Sequence, residues 1–386
     1  MSAAVSSNPT NDLGAFSYHN LNNNLVKEEP VSDLADFTKN ALPFLNSLEE
    51  DEAGPDPSEI SRRYGISEER IILLSRNENP YGPSPRVRTV LNDVSLHRYP
   101  DSRPFVRALA GYTGYPEESL VAGAGMDEII TTICRIFLGP GDTALIPVPT
   151  YNFYGVAAEL CGARPQYRPR LSGFAVDTKI PERIKMVFLC SPNNPTGNAL
   201  SEENVRAVVE GTDAIVFLDE AYAEFAEKSL LKLVREYGNL VVGRTLSKAF
   251  GLAGLRLGYA VAPPWIARQY RRVAPLFSIS SLSLAAGAAA LQDLGWMREC
   301  VGKIVSERER LRESLTCTNP SEGNFLYVHT IEKSKVVVER LLCQGIAVRD
   351  CSSFPGSGEH CLRVTVGRPE ENEQFMEEFE KADTKE

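Results

Sequence analysis

The sequence predicts an α/β fold, a mainly parallel β-sheet sandwiched by helices in a large domain, followed by a smaller α+β domain. Three observations carry that prediction. Short, nearly all-apolar runs alternate with amphipathic ones from about residue 95, the signature of buried parallel strands covered on both faces. Polar clusters recur where those runs end, at Gly125, Asn194, Asp219 and Lys248, and parallel sheets place their ligands at strand carboxyl ends. After about residue 270 the pattern changes to a long helical stretch and then to shorter strand-like runs.

Taken in order, residues 1–57 are rich in Asn, Ser, Asp and Glu and end in "EEDEAGPDPSE", which predicts a flexible extension, with "LADFTKNALPFLNSL" able to form one amphipathic helix. "SEISRRYGIS" has a length that suits a turn between DNA-reading helices, but without basic neighbours it reads as an entry helix. "SLVAGAG" is a strand and "MDEIITTICRIFL" its helix; "TALIPVP" and "TYNFYGVAAELCG" repeat the pair. "KMVFLCSP", "AIVFLDEAY", "LVVGRTLSK" and "LGYAVAP" are further strands. "SLSLAAGAAALQDLGWMRECVGKIVSERERLRESL" reads as helix throughout, and "NFLYVHT", "GIAVRD" and "HCLRVTVG" as strands with a helix near "SKVVVERLLCQ" between the first two.

Composition narrows the function. The 386 residues are 43% hydrophobic and 24% charged, enough for a large core and about two domains. A net charge of -10, with no lysine or arginine block, argues against nucleic acid and anionic membrane surfaces as partners, yet leaves room for one local cationic pocket. No run approaches the eighteen apolar residues of a membrane span, and the first residues lack the pattern of a signal peptide. Eight cysteines without CxxC and four scattered histidines predict reduced thiols in a cytoplasmic protein and no metal site.

The chemistry concentrates in "VVGRTLSKAFGLAGLRLGYA". Lys248, at a strand end among hydroxyls and glycines, can be a phosphate ligand or a carbonyl-attacking amine, although most such lysines are simply exposed. Asp219 follows five apolar residues, where a carboxylate is costly unless it meets a cation. Tyr222 can point into the same crevice, and Asn194 in "SPNNPTG" offers a neutral amide on a tight turn. "VAGAGMDEII" runs from strand through glycines into a helix, so amides near Gly125, Met126 and Asp127 face a candidate phosphate site. An amine, a buried acid for a ring nitrogen, hydroxyl donors and an arginine, Arg256, together suit pyridoxal phosphate.

The motifs "NENPYGPSP", "RYPD", "SPNNPTG", "DEAY", "RTLSKAFGLAGLRLGY" and "LRVTVG", in this order over roughly residues 60–380, resemble the fold-type I pyridoxal-phosphate aminotransferases, and within them the histidinol-phosphate branch. The resemblance implies a large cofactor domain at 96–270 and a small domain made of 58–95 with 271–386. It implies that Lys248 bonds the cofactor and shuttles the proton, that Asp219 keeps the ring nitrogen charged, and that Asn194 and Tyr222 bond the ring oxygen. Tyr151 would stack on the ring, and Thr245, Ser247, Arg256 and the amides at Gly125 and Met126 would hold the phosphate. Tyr99 would reach it from the other subunit of a homodimer. Arg363 would clamp a substrate carboxylate, Arg349 the substrate's own phosphate, and Asn79 and Tyr81 line the pocket or shape the Pro-rich entry. Singly, Asp219 also reads as a helix N-cap, Arg349 as a surface ion-pair partner and Tyr151 as plain core.

The implied reaction is transamination between histidinol phosphate and 2-oxoglutarate, giving imidazole-acetol phosphate and glutamate. Threonine-phosphate decarboxylase is the alternative on the same fold, because it too needs one arginine for a carboxylate and one for a phosphate. A broad amino-acid aminotransferase would have no use for Arg349. A non-catalytic ligand sensor would not need Lys248 and Asp219 intact.

Overall fold

A computed structural model describes residues 44–45, 54–315 and 317–384. All of these except Phe44 and Leu45 belong to one compact unit, Glu50–Glu386. Most of the extension, and most of the amphipathic segment around residue 40, lie outside the described residues.

The chain enters through α1 (Pro57–Tyr64), where Asp56 accepts a hydrogen bond from the Glu59 amide, Pro57 starts the helix and left-handed Gly65 ends it. It continues through β1 (Ile72–Leu74), α2 (Pro85–Leu91) and α3 (Arg103–Thr113). Then come β2 (Leu120–Gly123), α4 (Met126–Phe137), β3 (Thr143–Val148), α5 (Phe153–Glu159) and β4 (Arg164–Pro169). β5 (Met186–Cys190), α6 (Glu202–Glu210), β6 (Ile215–Asp219), β7 (Leu240–Thr245) and β8 (Gly258–Val261) complete the large sheet. The remainder is α7 (Pro264–Val273), α8 (Ser281–Leu291), α9 (Leu294–Ser314), β9 (Phe325–His329), α10 (Ser334–Leu342), β10 (Ile346–Asp350), β11 (Cys361–Thr365) and α11 (Pro369–Ala382).

Seven strands form the large sheet in the order β2-β8-β7-β6-β5-β3-β4. β7, β6, β5, β3 and β4 run parallel, while β8 is antiparallel to both its neighbours. Strands β3, β5, β6, β7 and β8 are buried along their whole length, which is why their sequences are apolar runs and not alternations. The carboxyl ends of β2, β5, β6 and β7 therefore open along one edge, and each delivers a polar cluster there. A second sheet, β1-β10-β11-β9, takes its first strand from before residue 95 and the others from after residue 320.

Three features depart from the sequence reading. The long helical stretch is two helices, α8 and α9, broken at Gln292 and Asp293, where the Asp293 backbone leaves helical geometry. β4, sequence "RPQYRP", carries no apolar run because it is an edge strand with one pairing neighbour and tolerates proline. β1 is too short to show a period, and only its parallel pairing with β10 makes it a strand. Among the described residues, no helix is long and apolar enough to cross a membrane.

Candidate active site

The strand ends converge on a cavity of about 350 Å³. β7 ends in Thr245, and the turn that follows brings Ser247 and Lys248 to its wall; β6 contributes Asp219 and, two and three residues past its end, Ala221 and Tyr222. Asn194 enters from the turn after β5, and Met126 and Asp127 from the first turn of α4. From the small sheet come Arg349 on β10 and Arg363 on β11, which are opposed in register and so share a face.

Lys248 Nζ donates to the Arg76 carbonyl at 2.9 Å, and the nitrogen lies 5.9 Å from the Tyr222 ring centre. Burial pulls its pKa down to about 8, helped by the positive charges of Arg363 and Arg256, so the neutral amine is accessible near neutrality. Asp219 is 4% exposed. Burial pushes its carboxyl up to about 6, against hydrogen bonds from the Tyr154 hydroxyl at 2.7 Å and the Ala221 amide at 2.9 Å. Among the described residues no cationic side chain pairs with this carboxylate, and a protonated ring nitrogen would supply one.

The far end of the cavity is an anion cradle. Gly125 caps α4 with φ of 89° and no side chain, and a Cβ there would stand 2.8 Å from Arg256 Nη2. Gly258 on β8 passes so close that its Cβ would lie 2.6 Å from the Gly125 carbonyl carbon. The helix amides, the hydroxyls of Thr245 and Ser247 (2.9 Å apart) and the half-exposed guanidinium of Arg256 thus face one spot. Asp127 anchors this end, pairing with Arg256 at 3.0 Å and accepting from the Tyr151 hydroxyl at 2.9 Å. This donor set fits pyridoxal phosphate, whose phosphate the helix end would hold and whose ring nitrogen Asp219 would meet.

Arg363 is 7% exposed, yet its hydrogen bonds go to neutral oxygens, Nη1 to Asn194 Oδ1 at 2.7 Å and Nη2 to the Ser75 carbonyl, and its Nε has no partner. Among the described residues it forms no ion pair, so a buried guanidinium awaits an anion. By accepting from Arg363, Asn194 Oδ1 turns its Nδ2 donors the other way. Arg349 sits over the Phe354 ring at 5.5 Å and reaches Ser353 Oγ at 3.4 Å.

A family model for the class I and II aminotransferases matches residues 69–379. The chain belongs to the class I and II aminotransferases. A histidinol-phosphate aminotransferase from Methanosarcina mazei is 44% identical over 345 residues, 86% of this chain and 94% of that protein. Histidinol-phosphate aminotransferase 1 of Archaeoglobus fulgidus is 42% identical, over 80% of this chain and 98% of its own length. Among solved structures, histidinol-phosphate aminotransferase from Sinorhizobium meliloti in complex with pyridoxal-5'-phosphate matches with a TM-score of 0.79 and 24% identity, covering 91% of this chain and 99% of that one. At that identity the match speaks for the aminotransferase fold alone.

Three further residues singled out from the sequence stand apart from the cavity wall. Asn79 and Tyr81 are absent from the cavity lining. Asn79 donates to the Ala249 carbonyl and accepts from the Tyr81 amide, tying the entry loop to the lysine turn, and the Tyr81 ring faces Lys303 and Arg368. They take the second role considered, shaping the entry. Tyr99 is 81% exposed and stacks on Phe277 at 4.6 Å. Groups not singled out from sequence also belong to the site: the Asp127 carboxylate, Tyr154, and the consecutive Ser75, Arg76 and Asn77. Tyr154 lies in the first turn of α5, three residues after Tyr151, which precedes the helix, and their rings meet edge-on at 5.5 Å.

Proposed function

We propose that this aminotransferase uses pyridoxal phosphate to exchange an amino group between histidinol phosphate and 2-oxoglutarate. The observation that carries the reading is the register-paired Arg349 and Arg363, facing the same cavity as Lys248 and Asp219. One guanidinium is deep and unpaired, the other shallow, so the site suits substrates with an anion at a fixed distance from the reacting amine. Relatives 38–44% identical over most of the chain carry the name of that activity.

Bound pyridoxal phosphate supplies a carbonyl carbon that bonds amines and a ring that withdraws electrons from the substrate's Cα. The protein's own residues do the rest. Lys248 Nζ, with its pKa held at about 8, is the base that takes the Cα proton. Asp219 keeps a proton on the ring nitrogen, and Asn194 Nδ2 and the Tyr222 hydroxyl donate to the ring oxygen. Arg256, Thr245, Ser247 and the α4 amides at Gly125 and Met126 hold the phosphate. Tyr151 covers one ring face. Arg349 takes the phosphate of histidinol phosphate and Arg363 a carboxylate of glutamate.

We further take the enzyme to be a cytoplasmic homodimer. Leu96, Tyr99, Leu276 and Phe277 are all more than half exposed, with Tyr99 stacked on Phe277, an apolar surface suited to a second copy and to Tyr99 reaching its phosphate.

A mass-resolved assay with purified protein and pyridoxal phosphate tests the reading. Histidinol phosphate plus 2-oxoglutarate goes in one tube and O-phosphothreonine in another. Glutamate from the first tube alone supports it. Carbon dioxide and aminopropanol phosphate from the second alone would replace it with a decarboxylase.

A further inference from the structure

Three consecutive residues ahead of the Pro-rich entry each hold a different functional side chain. The Ser75 carbonyl accepts from Arg363, the Arg76 carbonyl accepts from Lys248 Nζ at 2.9 Å, and Asn77 Nδ2 donates to the Tyr222 hydroxyl oxygen at 3.0 Å. We propose that Asn77 is a positioning residue that fixes the Tyr222 hydroxyl as a donor into the cofactor cavity. The proposal rests on the cofactor reading above and deepens it.

Hydrogen-bond bookkeeping at Asn77 decides the direction. The Asn77 backbone amide donates to Thr365 Oγ1 at 2.9 Å, and among the described residues the acceptor of the single Thr365 hydroxyl proton is Asn77 Oδ1, at 3.1 Å. With Oδ1 committed to Thr365, the amide group that meets Tyr222 is Nδ2, a donor with no acceptor capacity. The Tyr222 oxygen therefore receives a hydrogen, and its own proton points elsewhere, with the cavity beside it. Burial keeps the phenol at about 12, against the Arg363 charge and the Asn77 bond, so the proton is present at neutral pH.

The local backbone is built around this contact. Asn77 is 1% exposed and left-handed, with φ of 54°, a conformation that Asn tolerates and most side chains resist. Its carbonyl accepts from Asn324 Nδ2 at 3.0 Å, so all of its polar groups are used. Thr365 lies two residues beyond Arg363 on β11, and Phe325 of β9 holds the Tyr222 ring edge-on at 5.0 Å. The charged or titratable groups around Tyr222 include Arg363, Asp219, Cys190, Lys248 and Tyr151. None of them fixes the hydroxyl's direction; Asn77 does.

A donor that itself receives a hydrogen bond is polarised and donates more strongly. Hydrogen bonds at the ring oxygen favour the state in which that oxygen carries its negative charge unshared with a neighbouring proton. Weakening them raises the pH midpoint of the holoenzyme's visible absorbance change. The test is that midpoint in the full chain loaded with pyridoxal phosphate, for Asn77→Gly, Tyr222→Phe and the double variant. Glycine keeps the left-handed backbone and removes only the side chain. The expected shift for Asn77→Gly is upward by roughly half a pH unit to one unit, smaller than that of Tyr222→Phe. The double variant is expected to match Tyr222→Phe alone, since Asn77 acts through the hydroxyl. Thr365→Val, which frees the amide, is expected to shift the midpoint the same way. A midpoint unmoved in both Asn77→Gly and Thr365→Val, or an Asn77→Gly shift that persists undiminished on the Tyr222→Phe background, overturns the proposal. A parent protein that takes up no cofactor overturns the cofactor reading itself.

Discussion

Replacing Tyr154 by phenylalanine removes one hydroxyl from a fully buried ring and leaves its stack on Phe188, at 4.8 Å, in place. The lost group is the 2.7 Å donor to Asp219 Oδ2. A hydrogen bond to a charged group contributes about 1.5–3 kcal/mol, and one pKa unit corresponds to about 1.4 kcal/mol. The Asp219 carboxyl, at about 6 in the parent, should therefore rise by roughly one to two units. A carboxyl whose folded value lies above its unfolded one favours the folded state only while protonated, so that stability is lost as pH rises through the folded value. Chemical denaturation of the cofactor-free protein across pH 5 to 9 reads this directly. The variant's extra instability should be constant below about pH 6, grow by at most about 1.4 kcal/mol per pH unit over the next one to two units, and then level off. A difference that stays flat across the whole range would refute the assignment of Tyr154 as the donor that keeps Asp219 ionised.

Other outcomes follow from the same geometry. Lys248→Ala should leave a folded protein without turnover, and in the parent the rate of pyridoxal-phosphate uptake should climb with pH and level above about 8, where the amine is neutral; stopped-flow absorbance checks both. Arg349→Ala should weaken kcat/KM for the phosphorylated substrate by roughly 10- to 100-fold, the loss of a charge-assisted pair of about 1.5–3 kcal/mol, and spare unphosphorylated analogues in competition assays. Equal losses on both would remove its phosphate role. Gly125→Ala should lower cofactor affinity in equilibrium dialysis, because the new methyl meets Arg256 Nη2 at 2.8 Å and the backbone is left-handed there.

Much of the site was legible because parallel sheets put function at strand ends. Asp219, Asn194 and Lys248 each follow an apolar run that marks a buried strand, so their polarity stood out against it. The same reasoning had less to hold near residue 77, where β1 is three residues long and supplies no such contrast. Motif likeness there pointed to Asn79 and Tyr81, whereas the chain path brings Asn77 into the cavity and turns Asn79 toward Ala249. Tyr154 and the side chain of Asp127 were passed over for a related reason. Each lies on a helix among residues that look like ordinary helix surface or core, and only their partners, Asp219 and Arg256, reveal what they do.

By itself the sequence determined the layered α/β architecture, the buried strands of the large sheet, and the residue types needed for amine, acid and anion chemistry. These follow from local periodicity and from the cost of placing a charge after a buried run, both of which act over a few neighbouring residues. Tertiary structure decided who bonds whom: Arg349 opposite Arg363, Tyr154 on Asp219, Asn77 on Tyr222. Those pairings join residues up to 145 positions apart, as Asn77 and Tyr222 are, and are set by strand register and sheet order. Hydrogen bonds of that kind depend on distance and direction in space, which no local pattern along the chain encodes.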